Sequence, residues 1–135
     1  MTYHVQQKVL FKHCDPAGIV FYPRYFEMMN DCVEAFFDEV LGVPFETLHG
    51  HHAVPTAQIE TRFQAPSRHG DRLDLALRLT AVGASSLAYQ MTAACDGEPR
   101  FTTHATIVYV NDRGRPERWP DAMRAIFTDI LEGDR

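Results

Sequence analysis

The sequence is short of cysteine: Cys14, Cys32 and Cys95 are three residues in 135, an odd number at wide, irregular spacing. That excludes a disulfide framework and a cysteine-based zinc site, and reduced thiols are expected. Cys14 would serve as a nucleophile only with a neighbouring base and a lowered pKa, which the sequence does not supply. No apolar run approaches the ~18 residues of a membrane span, and Met1 to Gln7 lack the charged-then-apolar layout of a signal peptide. A cytoplasmic protein with no membrane partner is therefore expected. Positive charge is scarce as well: thirteen Lys and Arg against eighteen Asp and Glu leave 13 − 18 = −5, which opposes binding to nucleic acid. With 45% hydrophobic and 23% charged residues, the chain lacks the composition of a disordered segment. Its 135 residues suit one domain, expected to span 1–135.

What is present is a clear succession of periodic segments. Tyr3, Val5, Val9 and Phe11 alternate with His4, Gln6 and Lys8, which predicts a first strand over 3–11. After a loop, Phe26, Met29, Val33, Phe36 or Phe37, and Val40 recur at steps of three and four, the mark of a helix with one buried face. Pro23 suits its first turn and Gly42 its C-terminal exit, so the helix is expected from Pro23 to about Leu41. A less regular stretch with Pro44 and the His-rich run His49 to His52 follows. Ala57, Ile59 and Phe63 then share one face of a second strand, ended by Pro66 and a Ser67 to Asp71 turn.

Leu73, Leu75, Leu77 and Leu79 alternate with polar or small residues, the Gly83 to Ser86 break implies a hairpin, and Leu87, Tyr89, Met91 and Ala93 face inward on the returning strand. Asp96-Gly97 is a tight turn into a strand over 101–110, and 121–131 carries Met123, Ile126, Phe127, Ile130 and Leu131 at helical spacing. Strand, helix, then four strands joined by short loops predict an α+β protein: an antiparallel five-stranded sheet with the long helix across one face and the other face open.

The chemistry concentrates in His13-Cys14-Asp15-Pro16-Ala17-Gly18-Ile19-Val20-Phe21-Tyr22-Pro23, where an acid and a glycine precede a helix by a few residues. The unpaired N–H groups and dipole of a helix start can stabilise a developing negative charge, while a nearby carboxylate can act as nucleophile or general base. Pro23 has no N–H, so the nearest useful donor is the Tyr22 amide, and Gly18 lets the loop approach a ligand closely. The same residues also fit an ordinary turn whose acid offsets the helix dipole.

Asp15 to Pro23, with Arg24 and Tyr25, resembles the active-site signature of the 4-hydroxybenzoyl-CoA thioesterase family of hotdog-fold proteins. That resemblance implies a hotdog fold, dimers joined edge to edge that commonly pair into tetramers, and sites at subunit boundaries. It implies that Asp15 is the catalytic carboxylate and the Tyr22 amide the oxyanion donor, with Asp15 either attacking the thioester carbonyl or activating water. The expected substrate is an aromatic or short acyl-CoA, the expected assembly a homo-oligomer, and this chemistry needs no metal or organic cofactor. An acyl-carrier-protein thioester or a short aliphatic acyl-CoA is the alternative substrate, and a noncatalytic acyl-CoA-binding module the alternative of another class.

Around the loop, His13 is expected at a strand end lining the pocket entrance, and Phe26 and Met29 offer an apolar acyl environment. Asn30 stands where the resemblance leads one to expect an Asp facing the acyl group. The Gly83 to Ser86 turn lacks the basic residues that related enzymes place near the nucleotide phosphates, which leaves Ser85 and Ser86 as hydroxyl donors and Arg68, Arg72, Arg113 or Arg115 as phosphate ligands. His49, His51 and His52 lack an accompanying acid or Cys in a coordination pattern, so a metal is not expected there.

Overall fold

A computed structural model describes residues 1–133; Asp134 and Arg135, at the end of the expected 1–135 domain, lie outside the described residues. The elements in chain order are β1 (Tyr3–Lys8), α1 (Pro23–Glu39), α2 (Phe45–Leu48), β2 (His52–Ala53), β3 (Thr56–Phe63), β4 (Arg72–Val82), β5 (Ser86–Cys95), β6 (Glu98–Val108), β7 (Val110–Asn111) and α3 (Asp121–Gly133). Five strands form one antiparallel sheet in the order β1-β4-β5-β6-β3, and β2 pairs with β7 apart from it. The expected α+β architecture, a helix laid on an antiparallel five-stranded sheet with a helix at the C-terminal end, is what the chain adopts.

The alternation of leucines decides which face is covered. Leu73, Leu75, Leu77 and Leu79 are all buried on one face of β4, beside Leu87, Tyr89, Met91 and Ala93 of β5 and Phe101, Thr103, Ala105 and Ile107 of β6. Onto this face α1 lays Tyr25, Met28, Met29, Cys32, Val33, Phe36 and Phe37. At its start Tyr25 stacks on Phe63 and meets Phe101 edge-on, and its end brings Phe36 against Tyr3, so the helix crosses from the β3 edge to the β1 edge. Each buried Phe or Leu contributes about 1.5–3 kcal/mol through water release. Met123, Phe127 and Ile130 of α3, with Trp119, complete the same core. The opposite face carries Asp74, Arg78, Gln90, Thr102 and His104, and no helix among the described residues covers it.

Four departures from the periodic reading have local causes. The first strand stops at Lys8, and Phe11–His13 forms a single 3-10 turn because the His13 Nδ1 accepts the Leu10 N–H at 2.8 Å and pulls the chain out of the sheet. Phe11 consequently points outward, 81% exposed, and does not continue the apolar face of β1. Ala57 falls in a bulge between Thr56 and Gln58, which removes it from the face that Ile59 and Phe63 share. The last strand ends at Val108, and Val110 with Asn111 turns away to pair with His52 and Ala53, inside the stretch expected to be irregular. α1 ends at Glu39 rather than Leu41, and Gly42, at φ +68°, turns the chain away from the helix axis.

Candidate active site

The loop before α1 is held closed by its own backbone. Asp15 donates its N–H to the Ile19 carbonyl at 3.0 Å, its carbonyl accepts from Gly18 at 2.9 Å, and Cys14 bridges Val20. Gly18 sits at φ +81°, a conformation that costs any residue with a side chain, so the turn requires glycine. Inside it, the Asp15 Oδ1 accepts the Ala17 N–H at 2.9 Å, which fixes the half-buried carboxylate and leaves its second oxygen available to a ligand. Two anchors tie the loop to the body: Val20 donates to the Ser67 carbonyl at 2.8 Å and Phe21 to the His13 carbonyl at 2.9 Å.

The first turn of α1 accounts for its donors one by one. Arg24 donates to the Phe21 carbonyl at 2.8 Å, Tyr25 donates to the Tyr22 carbonyl at 3.1 Å, and Pro23 has no N–H. The Tyr22 N–H has no acceptor among the described residues. A free donor at the positive end of a 17-residue helix is suited to an oxyanion. The Tyr22 side chain is 58% exposed, edge-on to Phe21 and Phe63.

Behind Val20, the Ser67 to Asp71 turn is clasped by Arg100. The Arg100 Nη1 donates to Asp71 Oδ2 at 2.7 Å, to the fully buried Ser67 Oγ at 3.0 Å and to the Pro66 carbonyl at 3.1 Å. Its Nε lies 2.9 Å from Glu98 Oε1 without a well-directed hydrogen bond, so that contact is charge pairing alone. The Arg100 hydrogen bond, followed by one from the Arg68 N–H, holds the Asp71 carboxyl below its ordinary value.

A cleft of about 830 Å³ opens between the middle of α1, α2 and the β3 edge. Phe26 and Asn30 line it, with Met29, Val33 and Glu34 from the same helix and Ile59, Tyr89 and Ile107 from the sheet. Glu46 and His49 of the α2 region add further polar groups; the sequence reading did not single out Glu46 and weighed His49 only as a metal ligand, because the cleft arises where three separate elements meet.

The other expected positions fall elsewhere. His13 is 6% exposed and its ring nitrogen caps Leu10, so it supports the loop from beneath instead of lining a pocket entrance; burial first, and then the Lys12 charge, lowers its pKa. Ser85 and Ser86 lie at the far end of β4 and β5, roughly 30 Å along the strands from the turn that anchors Val20. Their carbonyls accept from Tyr109, Gly83 and Trp119. His52 pairs with Glu117 at 2.5 Å and stacks on Tyr109, and His49 lies against Phe45. Among the described residues no three His, Cys, Asp or Glu side chains converge on a metal position. Among them, too, no helix is long and apolar enough to cross a membrane.

Residues 9–127 match the thioesterase-like superfamily. Among curated proteins, a 1,4-dihydroxy-2-naphthoyl-CoA hydrolase from Synechococcus elongatus is 24% identical over 130 residues, covering 90% of this chain and 95% of its own length. Among solved structures, a gentisyl-coenzyme A thioesterase is 26% identical with a TM-score of 0.82, over 94% of this chain and 99% of that one. A 1,4-dihydroxy-2-naphthoyl-CoA thioesterase from Synechocystis superposes with a TM-score of 0.87 at 18% identity, over 96% of this chain and 98% of its own. With a matched region that takes in the Asp15 loop, α1, four of the five strands of the main sheet and the first half of α3, the chain belongs to the thioesterase-like superfamily, with its hotdog fold and its thioester-hydrolase class.

Proposed function

We propose that the chain hydrolyses an aromatic acyl-CoA to the free acid and coenzyme A, with Asp15 and the Tyr22 N–H as the reacting and stabilising groups. The observation that carries this reading is the pairing of a fixed carboxylate, Asp15, with the unsatisfied Tyr22 N–H at the start of α1. The amide receives the thioester oxygen as it gains negative charge. The carboxylate either adds to the carbonyl carbon, expelling the CoA thiolate and leaving a mixed anhydride that water opens, or takes a proton from the water that attacks directly. Both routes consume one water and release a carboxylic acid and a thiol.

The cleft supplies the acyl environment: Phe26, Met29 and Val33 offer apolar walls and Asn30 a polar group on the same helix face. The names of the related proteins, which act on naphthoyl and gentisyl thioesters, support an aromatic acyl group. The site is completed by a second copy. β3 is an edge strand with Ile59 44% and Phe63 45% exposed, an apolar edge that invites pairing. Antiparallel pairing of two β3 strands about a point near Ile59 and Glu60 sets the Phe63 end of one copy, with its Asp15 loop, beside the Thr56 end of the other, where the cleft and the Ser85–Ser86 hairpin lie. Ser85 and Ser86 would then reach the site from the other subunit.

Thiol release from benzoyl, hydroxybenzoyl and aliphatic acyl-CoAs tests the reading. Faster turnover of the aryl thioesters is expected. A preference for aliphatic chains or for an acyl-carrier-protein donor would overturn the substrate, and saturable binding of every thioester without product would make the chain a binding module.

A further inference from the structure

The positive charge that the chain lacks overall is gathered at one corner, beside the loop and toward the β1 and β4 side. Lys8 and Arg72 face each other in the β1–β4 register. Lys12 sits in the 3-10 turn, and Arg68 in the turn that Arg100 clasps. That turn is tied to the end of β1, Val9 donating to the Asp71 carbonyl and Gly70 to the Val9 carbonyl, both at 2.8 Å. All four cations are exposed, and none makes an ion pair within the described residues. The carboxylates near them are engaged, Asp71 with Arg100 and Asp74 with His4. Lys8 and Lys12 are the only lysines in the chain.

Among these charges stands Phe11, whose 81% exposure is the largest of the big apolar side chains that face solvent. The His69 ring lies 6.1 Å from it, centroid to centroid. Aromatic faces beside unpaired cations are the chemistry that holds a phosphorylated nucleoside: the rings stack on a base and the cations bind phosphate oxygens. The segments carrying Phe11, Lys12 and Arg68 are the ones hydrogen-bonded to the ends of the Asp15 loop, through the His13 and Ser67 carbonyls. The other candidate phosphate ligands lie elsewhere. Arg113 and Arg115 occupy the turn after β7, and Arg124, the cation at the Gly83–Ser86 hairpin, is bonded to the Gly83 carbonyl at 2.7 Å.

We infer that this corner holds the nucleotide end of coenzyme A, the adenine on Phe11 and His69 and the phosphates on Lys8, Lys12, Arg68 and Arg72. The inference rests on the acyl-CoA reading above, but binding tests it separately from turnover. Calorimetric titration with coenzyme A and with adenosine 3′,5′-bisphosphate compares the wild type with Phe11→Ala, with the Lys12→Ala/Arg68→Ala double variant and with Arg113→Ala. Kd is expected to rise about tenfold for Phe11→Ala and about a hundredfold for the double variant, roughly a factor of ten per group removed. KM for an acyl-CoA should rise with it, while kcat, and turnover of the same acyl group on N-acetylcysteamine, which has no nucleotide, stay at wild-type values. Unchanged Kd values in the two corner variants, or a loss confined to Arg113→Ala, would overturn the inference. So would corner variants that impair only an acyl-carrier-protein substrate, since the corner would then be a carrier-docking face. Weakened coenzyme A binding in a protein that hydrolyses no acyl-CoA would leave this inference standing and remove the proposed function.

Discussion

Arg100→Met tests how the Asp15 loop is held. The substitution keeps an apolar stem of similar length and removes the guanidinium that reaches Asp71, Ser67 and the Pro66 carbonyl at 2.7 to 3.1 Å. The Arg100 side chain is 10% exposed and that of Asp71 28%, so the carboxylate it leaves behind regains some water and the loss falls below that of a fully buried pair. About 3 kcal/mol is expected. A chain of 135 residues gains about 0.28 kcal/mol/K of unfolding entropy near its midpoint, so Tm should drop by roughly 10 °C. The clasped turn carries the carbonyl that holds Val20 and through it the Asp15 loop, so kcat should fall more than KM rises at a temperature where the variant is folded. A calorimetric scan with steady-state thiol release makes both measurements. A Tm change of less than about 3 °C, or a variant with wild-type kcat, would refute the claim that this clasp stabilises and positions the loop.

The same cluster sets an acid limb. Because the Asp71 carboxyl is held below its ordinary value by Arg100, its contribution is complete above the unfolded carboxyl pKa of about 4 and is lost as the pH falls through the lower folded value. Urea unfolding of Asp71→Asn should therefore show lower stability at neutral pH and a flatter decline below about pH 4 than the wild type. Gly18→Ala forces a side chain into φ +81° and should cost about 1–2 kcal/mol by chemical denaturation, with a loss of kcat, because the strain falls on the turn that fixes Asp15. Phe36→Ala empties a site 1% exposed beneath Tyr3 and should cost about 3–5 kcal/mol in the same assay, with KM unchanged in the folded fraction. Sedimentation should give a dimer or a larger even-numbered assembly, and an arginine at Ile59 should break it.

The parts of the fold that were legible in the sequence are those where one residue's surroundings repeat. Leu73 to Leu79 alternate because β4 is covered on one side only, and Met29, Val33 and Phe36 recur because α1 buries one face. The Asp15-Pro16-Ala17-Gly18 turn was legible because its acid, its glycine and the helix start that follows lie within a few residues of one another. What escaped was created by contacts distant in sequence. The alternation runs on through Phe11, but the His13 ring nitrogen breaks the strand first. The β2–β7 pair joins His52 to Asn111, positions that carry no strand signal of their own. Glu34, His49 and Tyr89 meet at the cleft only after α1, α2 and the sheet have packed. Arg100 carries no sequence signal of its role, because Pro66, Ser67 and Asp71 come within its reach only in the folded chain.

The central claim is that a carboxylate at position 15 and the adjoining Tyr22 N–H carry out thioester hydrolysis, and Asp15→Asn tests it most directly. Asparagine retains the oxygen that accepts the Ala17 N–H at 2.9 Å, so the loop and Tm should be preserved, while the negative charge is lost. Thiol release from an aryl-CoA should fall by about a thousandfold in kcat, with Tm within about 2 °C of the wild type. A folded Asp15→Asn protein that keeps kcat within about tenfold of the wild type would contradict the account and move the chemistry away from this loop.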